Sequence, residues 1–130
     1  MTQTEFLLDM LKYYSEDTSR RCISDTNLCR YHPSTINHPT SEGCAIGRHL
    51  SKELAIELDQ EVETDVMSVF HRLPSELQTL GNTFLQDVQD LHDCVRYWFE
   101  EGLRDYGKEK LKRIIKRYEL QKDLFTTYLP

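Results

Sequence analysis

The sequence predicts a mainly α fold, a compact helical domain built around one long central helix. Three observations predict it. Residues 74–99 place Leu77, Leu80, Phe84, Leu85, Val88, Leu91 and Val95 three or four apart, mostly, over about five turns. Gln78, Gln86, Gln89, Asp90 and Asp93 fall largely on the opposite side. Two further stretches, near the start and near the end of the chain, carry the same period. A small β-hairpin or irregular ribbon is expected near residues 20–33. At 130 residues the chain suits one domain, 1–130, with a core that needs no covalent staple.

Residues 2–17 read as the first amphipathic helix. Thr2 and Glu5 fit a capping box, and Phe6, Leu7, Met10, Leu11 and Tyr14 form its apolar stripe. Residues 18–43 break the period and are rich in Ser, Thr, Asn, Asp and Pro. His32-Pro33 and His38-Pro39 push the residues before proline towards extended backbone. Residues 20–24 and 28–32 could pair as strands around Asp25-Thr26-Asn27, followed by a long loop.

A short helix is expected to begin near Cys44, with Ser41 as its cap. Ser51 caps a further turn or two through Leu58. Val66, Val69, Phe70 and Leu73 then suggest a short helix that stops at Pro74. The central helix starts at Pro74 and Ser75 with Glu76 in its first turn, and Gly81 is its one weak position. Glu100, Glu101 and Gly102 end it, and Leu103 pins the chain to the core. Asp105 can cap a last helix through about Gln121, with Leu111, Ile114, Ile115 and Tyr118 inward. Leu124, Phe125, Tyr128 and Leu129 form an apolar tail that either packs back or contacts another chain, which would make a homo-oligomer.

The formal net charge is −6, which disfavours generic wrapping of nucleic acid. The charge is uneven. Residues 104–122 hold eight basic and three acidic side chains, a local +5, which leaves −11 for the rest. No basic, then apolar, leader opens the chain, and no apolar run reaches 18 residues, so neither export nor a membrane span is expected. The expected location is cytoplasmic, where the four cysteines stand as thiols or metal ligands.

Three constellations could carry chemistry. Cys29, His32, His38 and Cys44 supply four zinc-type ligands within sixteen residues, with Cys22 as a substitute. Only the Cys-x-x-His pair has a familiar spacing, and the alternative is two buried thiols beside a polar loop. Arg30, Tyr31, Arg48 and His49 could form an anion site. In it a helix starting at Gly43-Cys44 offers backbone N–H groups, the arginines clamp a phosphate or carboxylate, and Tyr31 stacks on a nucleotide-like ring. No Gly-Lys-Ser/Thr follows, so this is no P-loop. The alternative is close packing through Ala45 and Gly47, with the arginines in solvent. Last, Lys108, Lys110, Lys112, Arg113, Lys116 and Arg117 make the final helix basic. It could dock on nucleic acid or an acidic partner, or face the acidic segment of residues 53–65, or only water. Catalysis has little support: Glu100 and Glu101 cannot share a cleft from one helix, and His92 and Cys94 point apart.

The string Cys29-x-Tyr31-x-Pro33, followed by Gly43-Cys44-Ala45-Ile46-Gly47-Arg48, resembles a pattern in small uncharacterised proteins of phages and mobile bacterial elements. Leu73-Pro74-x-Glu76-Leu77, Leu91-His92-Asp93 and Trp98-x-x-Glu101-Gly102-Leu103 resemble the same group, so the likeness spans about residues 20–107. It carries over no functional residue. It implies a viral or accessory-gene context, with a host cytoplasm as the setting, in which small acidic domains act by binding, including as inhibitors of host defence. The reading is therefore stoichiometric binding of a host protein or a small anionic ligand. A zinc-stabilised module contacting nucleic acid or protein through the basic helix is the second reading, and a small enzyme the third.

Overall fold

The computed structural model describes residues 1–21, 30–33 and 43–129. They form α1 (Gln3–Glu16), α2 (Lys52–Asp59), α3 (Val66–Val69), α4 (Ser75–Gln78), α5 (Asn82–Asp93), a two-stranded antiparallel ribbon of β1 (Trp98–Phe99) and β2 (Gly102–Leu103), and α6 (Asp105–Arg117). Short 3-10 turns join them, and one at Lys122–Tyr128 closes the described chain. The fold is mainly α, as the period predicts. The ribbon expected near residues 20–33 falls mostly on residues outside the described set.

Helix α1 begins with a full capping box. Glu5 N–H donates to Thr2 Oγ1 at 3.1 Å and Thr2 N–H donates to Glu5 Oε1 at 2.9 Å. Phe6, Leu7, Met10, Leu11 and Tyr14 are all fully buried, so its predicted stripe faces the core. They share one core with Phe84, Leu85, Val88 and Leu91 of α5, Leu111 and Ile114 of α6, and Phe125 of the tail, and the Phe6 ring meets that of Phe84 edge-on at 6.2 Å.

The central helix is not continuous. It runs as α4, breaks at residues 79–81, and resumes as α5. Gly81 has φ +96°, a conformation that L side chains rarely adopt, so the weak position is a turn rather than a tolerated glycine. The break frees the Leu80 carbonyl, and Gln3 Nε2 donates to it at 2.8 Å, tying α1 to the turn. The helix also ends earlier than expected, at Asp93. Val95 is therefore 48 % exposed instead of core. Glu100 and Glu101 form the turn between β1 and β2, and Gly102, with φ +130°, completes it. Leu103 is buried as expected.

The end of α6 governs the surface described below. The helix stops at Arg117, earlier than the predicted Gln121. Glu119 takes φ +54°; its N–H donates to Lys116 O at 3.3 Å and Leu120 N–H reaches back to Ile115 O at 2.9 Å. This is a Schellman ending, which sets the apolar side chain of Leu120 near that of Ile115. The tail then packs back through Phe125, which is fully buried, while Leu124 stays half-exposed.

Candidate functional site

The residues predicted for an anion site are only partly brought together. No α-helix begins at Cys44. Residues 43–46 form a turn that leads into a 3-10 turn at Gly47–His49, too short to provide a helix N-terminus. Tyr31 is fully buried, and its hydroxyl donates to Thr64 O. Its ring is core, not a stacking platform. The Asp59 carboxylate at the end of α2 accepts the N–H of Tyr31 at 2.7 Å and of His32 at 2.9 Å, which fixes this short segment. Cys44 N–H donates to Arg30 O at 3.0 Å. Gly47 lies so close to the Tyr31 backbone that an added Cβ would stand 2.1 Å from Tyr31 O. The glycine serves backbone-to-backbone packing, the alternative reading of the motif.

Arg48 and His49 point to α1. Arg48 Nη1 donates to Asp9 Oδ2 at 2.5 Å, its guanidinium lies 3.8 Å from the Tyr13 ring centroid, and its side chain is 12 % exposed. His49 Nε2 is 3.4 Å from the same Asp9 oxygen, and its ring packs 4.9 Å from that of Phe6. The Arg48 charge is spent on an intramolecular carboxylate, which would compete with any phosphate. Arg30 meets this cluster through its backbone carbonyl.

Of the zinc set, Cys29 and His38 lie outside the described residues. Cys44 is fully buried, and its Sγ accepts the Gly47 N–H at 3.4 Å. Among the described residues no three His, Cys, Asp or Glu side chains gather as a metal site.

Among the described residues no ion pair joins the basic helix α6 to the acidic segment of residues 53–65. Glu57 and Glu61 of that segment pair with Arg72. From α6, Lys110 and Arg117, with Tyr118 just beyond its end, converge on Asp87 of α5, the last two at 2.9 Å and 2.6 Å. On another side of α6, Lys112, Ile115, Lys116 and Glu119 follow one another at helical spacing. With Leu120, Lys122 and Leu129 they line a groove of about 420 Å³. Its lining joins the apolar residues of the Schellman ending to three lysines. Lys112 lies 3.5 Å from Glu109, while Lys116 and Lys122 have no acidic partner among the described residues. The groove can take an apolar side chain and anchor carboxylates beside it. Sequence reading missed it because it depends on where α6 stops. The Ile115 and Leu120 pair, five apart around the helix end, was the available signal.

A second feature also escaped prediction. Gln89, expected on the polar side of the central stretch, is buried on α5, and so is His92. His92 Nδ1 lies 2.6 Å from Asp93 Oδ1, and Gln89 Nε2 donates to the same oxygen at 2.8 Å. The His92 ring meets Tyr14 edge-on at 4.7 Å. Burial pushes the imidazole below its ordinary value; Asp93 opposes this and Arg21 adds to it. Burial thus favours the neutral imidazole, with Nδ1 the nitrogen that faces the Asp93 carboxylate. The ring is wholly enclosed, so it serves the core and not a substrate. Arg21 donates to the carbonyls of His92 at 2.7 Å and Asp93 at 3.1 Å, capping the C-terminal end of α5.

Among the described residues no helix is long and apolar enough to cross a membrane. Comparison of the chain with protein-family models, with curated proteins and with solved structures finds no match.

Proposed function

We propose that this chain is a non-enzymatic accessory protein that acts by stoichiometric binding of a protein partner. The partner docks a short acidic segment bearing an apolar side chain into the groove between the end of α6 and the tail. One observation carries the reading: the apolar residues Ile115, Leu120 and Leu129 line one groove together with Lys112, Lys116 and Lys122. An apolar lining rewards burial of a side chain, and the lysines select carboxylates and speed encounter. Nucleic acid fits less well, because the lining has no aromatic ring for a base and Glu119 would repel phosphate. A small anion bound at Arg48 would have to displace Asp9. The resemblance to phage and mobile-element proteins makes a host defence protein the first partner to look for, with this chain as its inhibitor.

The test is capture by the tagged chain in a bacterial host, with cross-linking and mass spectrometry, in parallel with the K116E/K122E variant. We expect one host protein in 1:1 ratio with the wild type and about tenfold less with the variant. Equal capture by both would exclude the groove.

A further inference from the structure

The groove has a complement on the chain itself. The connector between α2 and α3 presents Glu61, Val62 and Glu63, all exposed. Val62 is 97 % exposed, the most exposed of the large apolar residues described, and it stands between two carboxylates. Glu61 pairs with Arg72, while Glu63 has no cationic partner among the described residues. An isolated exposed valine is ordinary. What gives this one meaning is its match to the groove, which offers an apolar lining and three lysines in a volume that a peptide tip can fill. The split between +5 over residues 104–122 and −11 elsewhere acts in the same sense over longer distances.

We infer that the groove of one copy receives the acidic loop of a second copy, with Val62 against Ile115, Leu120 and Leu129 and Glu63 among Lys112, Lys116 and Lys122. Two copies can exchange loops reciprocally or pass them head to tail; either way each contact joins one loop to one groove. The contact is small, so it is weak and concentration-dependent. It also occupies the surface assigned above to the partner, so a partner segment competes with self-association. The inference rests on that reading of the groove.

The experiment is sedimentation equilibrium of the full chain from about 10 μM to about 1 mM, a range suited to a weak contact. Two variants are compared with the wild type: V62D/E63K, which spoils the loop and keeps the groove, and K116E/K122E, which does the reverse. Circular dichroism confirms that each is folded. The wild type should gain mass with concentration, and less so at high salt. Each variant alone should stay monomeric, and an equal mixture should form pairs that grow no further, since it retains one intact loop and one intact groove per pair. Assembly by either variant alone, a monomeric mixture, or a wild type that stays monomeric at the top concentration would each overturn the inference. Titration of the same wild-type protein with an acidic, leucine-bearing peptide separates the two claims. Peptide binding without self-association leaves the docking reading standing, and loss of both removes it.

Discussion

Gly47 shows how a residue can look like a ligand-binding signal and be a packing one. Its place after Gly43 and before Arg48 suggests a loop opened for an anion, yet the atoms that come close belong to the Tyr31 backbone. Gly47→Ala should cost about 1–3 kcal/mol in denaturant unfolding, because the obstacle is main chain that cannot swing away. A cost near zero would mean that the Tyr31 segment is not seated there. The Tyr31 backbone does meet the Gly43–Arg48 segment. The role of Arg48 was not legible, because no spacing rule reveals that Asp9, some forty residues earlier, claims its guanidinium. His92 gives a prediction of opposite kind. Its imidazole is depressed below 6.5 in the folded chain, so the unfolded chain takes up a proton first as pH falls. Folding stability should therefore lose ground below about pH 6.5, by at most about 1.4 kcal/mol per pH unit from this group, and be independent of it above. Nitrogen-15 NMR of the histidine rings should show His92 titrating at lower pH in the folded chain than in the unfolded one; an equal or higher midpoint would contradict the enclosed site.

At the scale of elements, α1, α2 and α3 follow their sequence signals closely, because caps and apolar stripes are local properties. The central stretch does not. Its apolar period runs through Gly81 without interruption, so periodicity alone joins α4 to α5, while the left-handed turn that separates them is paid for by the Gln3 amide from another helix. The small ribbon at Trp98–Phe99 and Gly102–Leu103 was read as a helix end for the same reason: Glu100, Glu101 and Gly102 suit either a helix stop or a tight hairpin. The end of α6 offers a direct check. Glu119 holds a left-handed conformation usually given to glycine. Glu119→Gly should raise stability by about 1 kcal/mol in thermal or denaturant unfolding, through relief of that strain. It should also bind an acidic peptide at least as tightly, since it removes the one carboxylate lining the groove. Destabilisation would mean that the helix end is built differently.

For the whole molecule, the uneven charge was visible in the sequence, but not what it serves. Part of the basic helix is consumed at Asp87, which locks α6 to α5, and part of the acidic segment is consumed at Arg72. What remains outward includes the lysines around Ile115, Leu120 and Leu129. That residue set spans the end of α6 and the last described residue, so only the folded chain assembles it. The most direct measurement is a fluorescence anisotropy titration of the chain with a short peptide. The peptide carries one leucine flanked by glutamates, at low and high salt, with amide NMR shifts recorded on the same complex. The account predicts saturable 1:1 binding that weakens with salt, fails for a lysine-flanked peptide and for K116E/K122E, and moves amides of residues 112–122 and 129. No saturable binding, or shifts centred on another face, would contradict it.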